Sequence, residues 1–271
     1  MNELNTILVV FDPTQEQQPA LDRAAKVAEE TGACLHLFAC IYSDLDKVKN
    51  REEETSKLVE EQQAILSAAA GPLIEKGARV VTEVEWGRNW YHAVVQVSEK
   101  TNADIVFKSS YRHSTGKRLF NRTSDWTLIR ECQCPVLLVK ECKPAEEQRV
   151  LAAVDIRART ESYEKLNDNI IDFSRRVLEH DRAEVHFVNA FEDFRALPDR
   201  QALSEKSGIE SGRIHIKLGA PEKVIVDTAR KVDATLVVVG NSGRTGIAAA
   251  FHGNTVEKVL DKLECDVLSM P

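Results

Sequence analysis

The chain alternates short unbroken apolar runs with longer stretches in which apolar residues return every three or four positions. Thr6-Ile7-Leu8-Val9-Val10-Phe11 is one such run, closed by Asp12-Pro13, and near the middle Arg149-Val150-Leu151-Ala152-Ala153-Val154 is closed by Asp155. Runs of this length without polar alternation predict strands buried on both faces. An amphipathic stretch follows each, with Leu21, Ala24, Ala25 and Ala28 in the first and Leu166, Ile170, Phe173 and Val177 in the second. Those spacings put the apolar residues on one face of a helix. Second strands are predicted at Cys34-Leu35-His36-Leu37-Phe38-Ala39 and Glu184-Val185-His186-Phe187-Val188-Asn189, with a histidine at the same place in both.

The correspondence continues downstream. Arg79 to Val84 matches Arg213 to Leu218, and the helices after Gly87 and Gly219 carry Trp90, Ala93, Val94 and Val97 against Ile225, Ala229 and Val232. Ala103 to Phe107 then matches Ala234 to Val238, followed in each half by a long loop, a helix and a last strand after Cys134 or Cys265. Each half reads β-α-β-α-β-α-β-α-β. Strands of this kind alternating with helices predict α/β domains, each a parallel sheet covered on both faces, and right-handed crossovers make each doubly wound. The glutamate-rich stretch around Pro144 has the composition of a connector, giving domains 1–143 and 148–271.

Composition narrows the classes of function. A chain of 271 residues is long enough for two cores. A net charge of −7, with lysines and arginines scattered among acids, leaves no basic stripe for nucleic acid. The sequence shows no apolar run long enough for a membrane span and no signal-peptide pattern at its start, so a soluble cytoplasmic protein is expected. Six cysteines lie in or beside apolar runs and read as reduced core thiols. Cys132-Gln133-Cys134 lacks the C-x-x-C spacing of a zinc knuckle.

In an open doubly wound sheet, ligands bind beyond the carboxyl ends of the strands at the switch point. The loop after the fourth strand of the second half begins Gly240-Asn241-Ser242-Gly243 and closes Phe251-His252-Gly253-Asn254-Thr255, a G-x2-G-x9-G spacing that leads into a helix. Glycines allow close backbone approach, and a helix start presents unpaired N–H groups to an anion. The bland alternative is a tight turn at Gly240 and Gly243 with Asn254 as a helix cap.

This loop resembles the nucleotide loop of universal stress proteins, G-x2-G-x9-G-S/T, and the two-domain layout resembles the tandem members of that family across nearly the whole chain. The resemblance implies two tandem five-stranded domains of the adenine-nucleotide alpha-hydrolase-like type, packed as an intrachain pseudo-dimer, and a role in stress response. It implies that Asp155 faces the ribose or a metal, Mg accompanying the nucleotide. It further implies that Ala190 and Val239 border the adenine and that Gly240 and Gly243 admit the phosphates of ATP or AMP, with Gly253, Asn254 and Thr255 holding them. Ala153 stands where ATP-binding members often carry proline. Asn254 departs from the usual Ser or Thr, and Ile247 to Phe251 is apolar and lacks lysine.

The first half has Ser109, Arg112 and Arg122 where the second has Gly240, Gly243 and Gly253. Two arginines there are expected to fill the cradle, leaving a degenerate loop, although Arg112, Lys117, Arg118 and Arg122 could meet an acidic surface or an anion. Ser114-Thr115-Gly116-Lys117 is not a P-loop, because Tyr111 occupies the first glycine position. Gly240-Asn241-Ser242-Gly243 fails the G-x-S-x-G elbow at Arg244, so no catalytic residue is assigned. Three readings stay open: a non-enzymatic nucleotide-binding stress module, a binder of an apolar or acyl metabolite near Ala248 to Phe251, and a ligand-free structural pseudo-dimer. In each, two chains could also pair as a homodimer.

Overall fold

The computed structural model describes residues 4–111, 118–140, 147–157, 160–178, 183–241, 259–260 and 262–271, without the side chains of 118–124 and 196. The chain divides into two compact units, Asn2–Glu141 and Cys142–Pro271.

The first unit runs β1 (Thr6–Val10), α1 (Pro19–Thr31), β2 (Cys34–Ile41), α2 (Arg51–Glu75), β3 (Val80–Trp86), α3 (Trp90–Lys100), β4 (Ile105–Ser110), α4 (Arg118–Glu131) and β5 (Val136–Lys140). Its strands lie in the order β3-β2-β1-β4-β5, all parallel. Ile7, Leu8 and Val9 are fully buried because the central strand has helices on both faces. Pro19 opens α1, where its missing N–H is no loss, and Gly32 closes it in the left-handed region at φ 71°, its amide returning to the Ala28 carbonyl.

The second unit repeats the plan with β6 (Gln148–Ala153), α5 (Glu161–Leu178), β7 (Ala183–Phe191), α6 (Arg200–Ser207), β8 (Ile214–Leu218), α7 (Pro221–Lys231), β9 (Leu236–Gly240) and β10 (Asp266–Met270). Two short 3₁₀ turns, Phe194–Ala196 and Ser211–Arg213, flank α6. The order is β8-β7-β6-β9-β10, again all parallel. Of the helix expected before the last strand, only its end falls among the described residues. The predicted α/β architecture of parallel sheets therefore holds in both units. Each has its switch point where the connections diverge, between β1 and β4 and between β6 and β9, and the loops leaving those strands form the candidate sites.

Candidate functional site

The first loop of each unit is held by a buried amide that the hydrophobic pattern does not announce. In the second unit Asn167, on α5, accepts from the Asp155 amide at 3.1 Å and donates to the Asp155 carbonyl at 2.7 Å. Asn189 at the end of β7 accepts from the Ile156 amide at 3.0 Å. The Asp155 carboxylate accepts from the Arg157 amide at 3.2 Å, closing an Asx turn with the side chain at the surface. In the first unit Gln18 performs the same double contact on Asp12, at 3.1 Å to its amide and 2.7 Å to its carbonyl. Asp12 Oδ1 in turn accepts from the Thr14 amide and hydroxyl. Both clamping amides are buried; without them the Asp155 amide and carbonyl and the Asp12 amide would lose these partners, while the Asp12 carbonyl would keep the Gln15 amide at 3.2 Å.

Ala153, Asp155, Ala190, Val239 and Gly240 line one cavity of about 150 Å³ at the carboxyl ends of β6, β7 and β9. Leu166, Ile170, Ile225 and Val259 give it apolar walls. Gly243, Gly253, Asn254 and Thr255 lie outside the described residues, as do Ile247 to Phe251.

Gly240 has a packing reason of its own. A Cβ placed on it would stand 2.5 Å from Leu166 Cδ2 and 2.8 Å from Cγ. Leu166 is 8% exposed, so it has little room to withdraw. The first unit meets this problem differently: α1 offers fully buried Ala20 and Ala24 to its sheet, and Ser109 fits at the corresponding place. There Ser109 Oγ accepts from the Ala20 amide at 3.0 Å. The glycine-to-serine difference that separates the two loops in sequence thus follows the size of the helix residue above it.

The first unit holds a cavity of about 390 Å³ at the carboxyl ends of β1, β2 and β4. Arg112 and Lys117, and the side chains of Arg118 and Arg122, lie outside the described residues. Lys108 and Asp125 meet in this cavity at 3.0 Å, with side chains 16% and 19% exposed. Lys108 also donates to the Ser109 carbonyl at 2.8 Å and lies 5.2 Å from the Trp90 ring centroid. At the rim Arg88 lies 4.8 Å from the Tyr42 ring centroid and donates to the Tyr42 hydroxyl at 2.9 Å. Cys40 lines the same space, but burial, with the Glu85 charge, pushes its thiol up to about 11. It is therefore no nucleophile at neutral pH.

The two histidines shared by the halves are packed groups. His36 lies 3.0 Å from Glu83, whose other oxygen accepts from Lys100 at 2.8 Å; burial nonetheless lowers the pKa of His36. His186 stacks on His215 with ring centroids 5.3 Å apart and nitrogens 3.2 Å apart. Burial, the neighbouring His186 and the nearby Lys217, Lys231 and Arg200 bring His215 down to about 4. Burial lowers His186 as well, against the pull of Glu184. Cys132 and Cys134 lie with sulfurs 3.5 Å apart, and the Cys134 thiol is raised by its contact with Cys132 and by burial. Among the described residues no group of three or more His, Cys, Asp or Glu could hold a metal ion. No described helix is long and apolar enough to cross a membrane.

Two doubly wound units, each with an aspartate closing its first strand and a loop at the switch point, define the class, and the chain belongs to the universal stress protein family. The model of that family matches residues 3–140 and 177–271, leaving out β6, Asp155 and most of α5. Among relatives, the chain is 30% identical over 291 positions to universal stress protein E of Escherichia coli K12, covering 97% of this chain and 92% of that protein. It is 30% identical to the universal stress protein E homolog of Haemophilus influenzae, covering 99% and 97%. A functionally unknown protein from Pseudomonas aeruginosa PAO1 superposes with a TM-score of 0.77 at 27% identity, covering 98% and 92%. A universal stress protein from Archaeoglobus fulgidus shares the fold, with a TM-score of 0.76 at 18% identity, covering 99% of this chain and 96% of that one.

Proposed function

We propose that this protein is a non-enzymatic stress-response module that binds ATP or AMP in its second unit. The observation that carries the reading is the Gly240-x2-Gly243-x9-Gly253 spacing that leaves β9 at the switch point. In this reading Ala190 and Val239 border the base, Ala153 lines the same cavity and Asp155 meets the ribose. Gly240 and Gly243 admit the phosphates, and Gly253, Asn254 and Thr255 cap them with main-chain N–H groups. One Asp155 oxygen already serves the Arg157 amide. A Mg²⁺ ion there would take most of its ligands from phosphate and water, as that ion commonly does. Hydrolysis, if measurable, is slow and incidental.

The apolar walls at Leu166, Ile170, Ile225 and Val259 favour a second reading, an apolar or acyl metabolite in the same cavity. Calorimetry of the full chain with ATP, AMP and a medium-chain fatty acid separates the two. Saturable nucleotide binding that Gly243→Arg abolishes, with the circular dichroism spectrum unchanged, is the expected result. Fatty acid binding with no nucleotide heat up to about 1 mM would replace the first reading by the second.

A further inference from the structure

The first-unit cavity lies within the ordinary volume range of small-molecule sites, roughly 300 to 1,000 Å³, and its charges are sorted in a way that names a ligand. Lys108 and Asp125 neutralise one another at the floor. Among the described residues this leaves one anion, Asp12, and one cation, Arg88, facing the cavity. Asp12 uses Oδ1 for the Thr14 turn, and its Oδ2 takes no hydrogen bond among the described residues. Arg88 spends one N–H on the Tyr42 hydroxyl, and the rest of its fork has no described partner. Contact with the Tyr42 ring and hydroxyl restrains the guanidinium, which lowers the cost of ordering it around a carboxylate.

Asp12 follows β1 and Arg88 follows β3, and the strand order puts β2 between them. Two strand steps separate the loops by about 9.5 Å. From those loops the Asp12 carboxylate and the Arg88 fork offer the ammonium and the carboxylate of one ligand a charge-assisted bond each. Trp90, Val94, Phe11 and Ile41 line the remaining wall and suit an apolar side chain.

The geometry points to a second ligand site in the first unit, for a zwitterion of the α-amino-acid type with an apolar side chain, its ammonium on Asp12 and its carboxylate on Arg88. The four described ionised groups sum to zero, which matches a ligand without net charge. This inference does not depend on nucleotide binding in the second unit, because the two cavities share no described residue.

Calorimetry of the full chain with L-leucine, L-methionine and L-phenylalanine tests it, with N-acetyl-L-leucine and L-leucinamide as controls that each lack one charge. Saturable binding of free amino acids is expected, weakened at least about tenfold by blocking either end and by Arg88→Gln or Asp12→Asn. Arg88 is exposed, so its replacement leaves folding intact, whereas Asp12→Asn also touches the Thr14 turn. Gly243→Arg is expected to leave amino-acid binding unchanged. The inference is overturned by no saturable binding up to about 10 mM, by equal binding of the blocked compounds, or by unchanged affinity in Arg88→Gln. Loss of AMP binding in Arg88→Gln would also overturn it, assigning the cavity to nucleotide.

Discussion

At the scale of the residue, Gly240 shows why a motif position can have two masters. Leu166 closes on it so tightly that Gly240→Ala must push the α5 side chain aside, whatever ligand the cavity takes. Overpacking of this kind costs about 1–3 kcal/mol. Urea denaturation of Gly240→Ala should show that loss, and the same substitution made in a Leu166→Ala background should cost less, since the clash disappears with the larger side chain. A Gly240→Ala midpoint equal to that of the parent would refute the packing explanation. The histidine pair makes a separate demand. His215 titrates near 4 in the folded chain against an ordinary 6.5, so between those values the unfolded chain binds more protons. Stability is therefore complete above about pH 6.5 and declines as pH falls toward 4. Thermal midpoints should drop across that window, and His215→Gln should flatten the dependence; an equally steep profile in the variant would assign the effect elsewhere.

At the scale of the element, the strands were legible because Val, Ile and Leu fill each central run, and the aspartate after the first strand of each unit marked that strand's carboxyl end. The α/β order followed from the alternation of unbroken runs with helical spacing. What stayed hidden was how the loops are held. Gln18 reaches Asp12 from six positions away and Asn167 reaches Asp155 from twelve, so no fixed spacing exposes the shared contact. The first-unit cavity was hidden for a related reason: it depends on Lys108 from β4 meeting Asp125 from α4, a pairing that tertiary packing alone creates. Attention to glycines instead directed the search to the second unit. The amide clamps carry a measurable prediction. Asn167→Leu strands the Asp155 main chain without its partners, at a cost of about 1–3 kcal/mol. Hydrogen exchange at the Asp155 amide should accelerate, while the Asp12 amide, held by Gln18, keeps its protection. Acceleration at both would mean a general loosening and would defeat the assignment.

At the scale of the whole molecule, the described lining residues of each cavity all come from one unit. Substitutions in independent sites commonly combine additively. Gly243→Arg is accordingly expected to remove nucleotide affinity and spare amino-acid affinity, Arg88→Gln to do the reverse, and the double variant to lose both. Nucleotide at about a hundred times its Kd should raise the stability of the parent by ~2.7 kcal/mol, a gain absent in Gly243→Arg. A gain that survives Gly243→Arg would place the ligand away from the glycine loop.

The paired clamps also bear on how such chains diverge. What each loop requires is an acceptor and a donor delivered to one aspartate's main chain, and glutamine from the start of a helix or asparagine from within one delivers both. A requirement of that kind constrains atoms in space and leaves the identity and register of the supplying residue free to drift. Comparing the halves column by column therefore scores as unrelated two positions that perform one task. Kinship between them is better measured by which backbone groups are satisfied than by which letters agree.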